Sequence, residues 1–92
     1  MKQLEKEFIG KGQVKGFMFT QIKQNNYGYI YRIEADKLTH YEVFTHKPNK
    51  RFNCVSYPTN HAFGIWAWTY RDLEKAEERF NDITQKRGVG NA

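Results

Sequence analysis

Cysteine is nearly absent from this 92-residue sequence, in which Cys54 is the only one. A single thiol cannot form an intrachain disulfide, so the fold must depend on its hydrophobic core. No segment approaches the ~20 apolar residues that a membrane-spanning helix needs, and residues 1–7 lack the apolar run of a signal peptide. These absences predict a soluble protein with a cytoplasmic location and no membrane partner.

Sequence motifs for metal binding, phosphate binding and nucleophilic catalysis are also missing. The candidate metal ligands are three histidines and one cysteine, and their spacing matches no zinc pattern: His40, His46, His61 and Cys54. Residues 10–12 are too short for a phosphate-binding loop and lack its Lys-Ser/Thr end. No neighbour in the sequence activates the cysteine as a nucleophile. We therefore predict a protein that is not an enzyme and holds no metal or cofactor.

Aromatic side chains and positive charge are what the sequence does contain. Aromatic residues make up 16% of the chain and supply the large buried area that one small domain needs, so we interpret residues 1–92 as a single domain. Residues 1–71 hold eleven Lys and Arg against five Asp and Glu, a balance of +6. This charge favours negatively charged partners, either nucleic acid or an acidic protein surface.

Alternation of side-chain type predicts strands over residues 14–22, 27–34, 39–46 and 63–70, because side chains two apart share one face of a strand. Residues 52–57 are a candidate fifth strand. Turn-forming residues such as Asn and Pro separate these segments. The pattern therefore predicts an antiparallel β-meander of four to five strands over residues 14–70. Residues 1–12, which are charged and then glycine-rich, are predicted to form a flexible arm.

One helix is predicted over residues 70–87, directly after the last strand. Its apolar residues step by three or four positions and so lie on one stripe: Leu73, Ala76, Phe80 and Ile83. Thr69 is a candidate N-terminal cap, Gly88 is expected to end the helix, and residues 88–92 are predicted to be a disordered tail. The predicted fold class is α+β, with this amphipathic C-terminal helix packed on one face of the sheet.

The last predicted strand places Trp66 and Trp68 on one face, where the helix is expected to cover them. Phe63 and Ile65 would then lie on the second face, which the helix leaves uncovered. A partly apolar second face favours homodimerisation or the binding of another protein.

A row of tyrosines on the second predicted strand is the first candidate binding surface: Tyr27, Tyr29 and Tyr31. If this row faces away from the helix, its rings would stack on unpaired bases. The alternative is that the tyrosines pack under the helix with their hydroxyl groups at its rim.

A basic loop is the second candidate surface, because Lys47, Lys50 and Arg51 fall within five residues of one another. Cations on a loop contact phosphates, and Arg32 would extend this basic surface. The function predicted from both candidates is a small non-enzymatic module for accessory nucleic-acid binding. The alternative is a protein-interaction or inhibitor domain, with homodimerisation as one form, that uses an apolar sheet face.

Overall fold

The computed structural model describes residues 3–11 and 14–90, with side chains up to residue 86. Along the chain it has β1 (Glu7–Ile9), β2 (Met18–Gln24), β3 (Gly28–Ala35), β4 (Leu38–Thr45), β5 (Pro48–Asn49), β6 (Cys54–Val55), a 3-10 helix (Asn60–Ala62), β7 (Ala67–Tyr70) and α1 (Leu73–Gly90). Five strands form one antiparallel sheet in the order β1-β2-β3-β4-β7, and β5 and β6 form a separate hairpin. The predicted α+β class, with an antiparallel sheet and a C-terminal helix packed against it, is confirmed.

The central strand β3 sends alternate side chains to two separate cores. Ile30 and Val43, paired across β3 and β4, are buried against α1 in the helix-side core: Ile30, Val43, Ala76, Phe80 and Ile83. The neighbouring residues of β3 and β4 face the other way into the far-side core, to which other elements also contribute. Its members are Phe19, Tyr29, Tyr31, Ile33, Phe44, Val55, Ala62 and Ala67. Burial of each large side chain contributes about 1.5–3 kcal/mol, so both cores are needed in a chain of this size.

The apolar stripe of the helix packs as the spacing predicts, with Ala76, Phe80 and Ile83 all buried against β3, β4 and β7. The predicted bounds of the helix were wrong at both ends. Thr69 pairs with Glu42 in the sheet, so it does not cap the helix, which begins at Leu73. The helix also continues through residue 88 to residue 90, because glycine adopts helical backbone at a cost of only about 1 kcal/mol. Residues 91–92 of the predicted tail lie outside the described residues.

Both faces of the sheet are covered, so the predicted open second face was wrong. Part of the predicted flexible arm forms β1, whose Phe8 stacks on Phe19 of β2 with ring centroids 4.6 Å apart. Residues 56–63, which we call the strap, cross the same face. Tyr57 of the strap packs edge-on against Phe8, Phe19, Tyr31 and Phe44, at centroid distances of 5.0–5.6 Å.

The two indole rings lie in different cores, which corrects the prediction of a shared face. Gly64 has a φ of +87°, and the chain turns through residues 64–66 before β7 begins at Ala67. Trp66 therefore packs against the far-side core and Trp68 against the helix-side core. The turn also leaves Ile65 75% exposed. No helix in residues 3–11 or 14–90 is both long and apolar enough to cross a membrane.

Candidate nucleic-acid interface

The three cations of the predicted basic loop lie on a short hairpin that projects after β4. We call residues 47–55 the basic hairpin; in it β5 and β6 pair antiparallel. The side-chain oxygen of Asn49 accepts a hydrogen bond from the backbone N–H of Phe52 at 3.2 Å, and Asn53 adopts a left-handed backbone with φ of +52°. Asparagine favours both features, so local sequence explains why the chain reverses here.

The positive charge of this hairpin is open to solvent. Lys47, Lys50 and Arg51 are exposed, and none of them takes part in an ion pair among the described residues. The ammonium group of Lys47 lies 5.1 Å from the ring centroid of Trp66, which holds the base of the hairpin against the far-side core. The arrangement therefore presents three cations that no carboxylate of the described residues neutralises.

An exposed phenylalanine lies between these cations and the left-handed turn. Phe52 is 68% exposed, and the guanidinium carbon of Arg51 lies 5.3 Å from its ring centroid. The sequence pattern treated Phe52 as the start of a strand and missed it as a surface residue. A signal for its exposure was present in the sequence. Phe52 directly follows two cations, and Asn49 and Asn53 flank this segment, which indicates a turn rather than a strand.

Two members of the predicted tyrosine row, Tyr29 and Tyr31, face away from the helix, but they do not form a surface. Tyr29 and Tyr31 are 1% and 0% exposed because residues 3–9 and the strap cover them. The Tyr29 hydroxyl donates to the side-chain oxygen of Gln3 at 3.0 Å, and the Tyr31 hydroxyl donates to the backbone carbonyl of Glu5 at 2.5 Å. These two tyrosines are core residues whose rings have no free face for a base, which corrects their predicted stacking role.

Tyr27 and Arg32 are also separated from the basic hairpin. Tyr27 precedes β3 and packs, half-buried, against the helix-side core rather than in a row with Tyr29. Arg32 alternates with Tyr31 along β3 and so points to the helix side of the sheet, where its Nε lies 3.1 Å from the Glu34 carboxylate. Of the seven predicted binding residues, three are exposed together on one short hairpin: Lys47, Lys50 and Arg51.

A polar contact beneath the strap was not found by sequence reasoning. The Tyr57 hydroxyl donates to Oε1 of Glu42 at 2.5 Å, and the Nε2 of His40 lies 3.6 Å from Oε2 of the same carboxylate. Burial, and then the negative charge of Glu42, raises the pKa of Tyr57. Burial also raises the pKa of Tyr31 to about 12. Both phenols stay neutral at ordinary pH, and the Tyr57 hydroxyl links the strap to Glu42 of the sheet.

The candidate metal ligands do not come together in the structure. His46 stacks on Tyr29 with ring centroids 5.9 Å apart, His40 lies beside Glu42, and Cys54 is half-buried in β6. Within residues 3–11 and 14–90, no three His, Cys, Asp or Glu side chains are grouped closely enough to hold a metal ion.

The basic hairpin thus combines exposed cations, which have no ion-pair partner in the described part of the chain, with an exposed aromatic ring, and such a surface suits a negatively charged partner. Comparison of the chain with protein-family models, with curated proteins and with solved structures finds no match.

Proposed function

We propose that this protein is a small non-enzymatic module that binds nucleic acid through the basic hairpin. The observation that carries the proposal is the combination at one hairpin of three exposed cations, none paired among the described residues, with an exposed aromatic ring: Lys47, Lys50, Arg51 and Phe52. Phosphates attract such cations, and the release of their counterions makes binding strong at low salt. A cytoplasmic location remains part of this proposal.

The proposal predicts how strongly the affinity for nucleic acid falls as the salt concentration rises. If each of the three hairpin cations contacts one phosphate, the affinity falls about 20-fold for a single strand between about 50 and 200 mM salt. For a duplex the same change is about 40-fold, because each contact releases more counterion. Removing Lys50 and Arg51 leaves one contact, so the single-strand fall shrinks to about threefold.

The experiment is a fluorescence anisotropy titration of labelled oligonucleotides, single-stranded and duplex, at those two salt concentrations. The variant is Lys50→Ala/Arg51→Ala. The matched control is Lys37→Ala/Lys75→Ala, which removes the same charge from the β3–β4 turn and from α1. Lys37 directly precedes β4, whereas the basic hairpin follows β4, so Lys37 lies at the opposite end of that strand from the hairpin.

The proposal expects the hairpin variant to lose most of the affinity and the salt dependence, and the control to keep both. Absence of binding by the unchanged protein at about 50 mM salt would overturn it. Equal losses in the two double variants would also overturn it, because they would show attraction to net charge rather than to the hairpin.

The protein-interaction alternative depended on an apolar sheet face. The strap and residues 3–9 cover one such face, and α1 covers most of the other. Exposed large apolar residues remain as one small group at the β1–β2 edge of the sheet, Ile9, Val14 and Met18, and singly elsewhere: Leu38, Phe52 and Ile65. The nucleic-acid proposal is therefore the better supported one. Light scattering tests the predicted homodimer directly.

A further inference from the structure

We propose that the Phe52 ring stacks on an unpaired nucleobase, so that the basic hairpin prefers single-stranded nucleic acid to duplex. This inference rests on the proposed function and names its class of ligand. It depends on the exposure and position of the Phe52 ring and on the burial of the other aromatic rings.

Phe52 is the one Phe, Tyr or Trp side chain that is largely exposed in the described part of the chain. The other aromatic side chains are buried or half-buried, and most of them belong to or pack against one of the two cores. Phe52 has no ring–ring contact with any of them among the described residues. A ring that is 68% exposed and belongs to neither core is free to contact a ligand.

The hairpin also holds this ring in a defined place. The hydrogen bond from the Phe52 N–H to Asn49 fixes the backbone, and the Arg51 guanidinium lies over the ring. A base that stacks on Phe52 would therefore have its phosphates within reach of Lys50 and Arg51, its neighbours in the chain. A ring and cations placed side by side are the combination that binds single strands, because every base has a π-face and every linkage has a charge.

A duplex cannot use this ring in the same way. Its bases are already stacked on each other, and exposing one of them requires unstacking and unpairing. Stacking one unpaired base on an aromatic side chain strengthens binding about 5- to 150-fold. We therefore expect Phe52 to contribute to single-strand affinity and to leave duplex affinity almost unchanged.

The experiment compares Phe52→Leu, which removes the ring but keeps an apolar side chain, with Phe52→Trp, which keeps a ring. Both are titrated with single-stranded and duplex oligonucleotides beside the unchanged protein and Lys50→Ala/Arg51→Ala. A strand that contains 2-aminopurine adds a readout of base stacking. Because Phe52 is exposed, neither substitution should alter the fold, and circular dichroism checks this.

We expect Phe52→Leu to lose at least about fivefold in single-strand affinity while its salt dependence and duplex affinity stay unchanged. Phe52→Trp should keep the affinity, and the change in 2-aminopurine fluorescence should disappear only in the leucine variant. If Phe52→Leu binds single strands as well as the unchanged protein does, while Lys50→Ala/Arg51→Ala still weakens binding, this inference fails and the proposed function stands. If the unchanged protein binds neither oligonucleotide, both fail.

Discussion

Replacement of Tyr57 by phenylalanine tests how the strap is held on the sheet. The change keeps the ring and its edge-on contacts in the far-side core, and it removes one hydroxyl group. That hydroxyl donates to the Glu42 carboxylate at 2.5 Å, and the Glu42 side chain is only 14% exposed. In the variant, a largely buried carboxylate loses its hydrogen-bond donor. The imidazole of His40, at 3.6 Å, is too distant to replace it.

A hydrogen bond to a charged group contributes about 1.5–3 kcal/mol, so we expect Tyr57→Phe to lower the free energy of unfolding by about 2 kcal/mol. For a chain of this length, that corresponds to a fall in Tm of about 8–16 °C. The assay is urea denaturation followed by tryptophan fluorescence. Trp66 packs against the far-side core and Trp68 against the helix-side core, so the combined fluorescence follows the unfolding of both cores.

Tyr41→Phe is the control, because no hydrogen bond of the Tyr41 hydroxyl is found among the described residues and the side chain is half-buried. It should change stability by less than about 0.5 kcal/mol. In a Glu42→Gln background, Tyr57→Phe should cost only about 1 kcal/mol, because the acceptor is then neutral. A loss below about 0.5 kcal/mol for Tyr57→Phe alone would refute the reasoning, since ring packing would then be enough to hold the strap.

Three further predictions concern other parts of the fold. Burial raises the pKa of Tyr31 from 10.0 to about 12. Between those pH values the unfolded chain releases a proton that folded Tyr31 keeps, so Tyr31 should account for about 2–3 kcal/mol of the fall in the free energy of unfolding. Because Tyr29 and Tyr57 also have raised pKa values, this contribution is measured by urea denaturation at stepped pH as the difference between the unchanged protein and Tyr31→Phe, and identical pH profiles would contradict it. Gly28→Ala would place its Cβ 2.9 Å from the backbone carbonyl oxygen of Phe44, and the clash should destabilise the protein by about 1–3 kcal/mol in the same assay. Lys23→Ala removes an exposed ion pair with Glu77 and should change stability by less than about 0.5 kcal/mol, so a larger loss would show that this contact fixes α1 on β2.

Local periodicity was enough to predict most of the strands and the buried stripe of the helix. The alternation around Ile30 and Tyr31 predicted two different faces, and the structure sends these residues to two different cores. The spacing of Ala76, Phe80 and Ile83 predicted one buried helix face. Both patterns depend on backbone geometry that each short segment carries by itself, so they could be found without the rest of the chain.

The sequence was enough to predict the cations of the candidate site, but it did not predict the exposed ring of Phe52. Three cations within five residues indicated the basic hairpin, because charge is a property of composition. Phe52 was missed because an aromatic residue at the start of a predicted strand is normally buried, whereas here it precedes β6 and is 68% exposed. Tyr29 and Tyr31 were misassigned for the opposite reason, since their pattern showed a shared face and not what covers that face.

The sequence alone determined that this chain forms an antiparallel sheet with one amphipathic C-terminal helix, and that its positive charge lies mainly in residues 1–71. Only the tertiary structure decided which surfaces are free. Tyr31 is covered through a contact with Glu5, 26 residues away, and Tyr57 reaches Glu42, 15 residues away. A two-residue repeat places side chains on a face, but burial of that face depends on segments that are distant in the sequence and meet only when the chain folds.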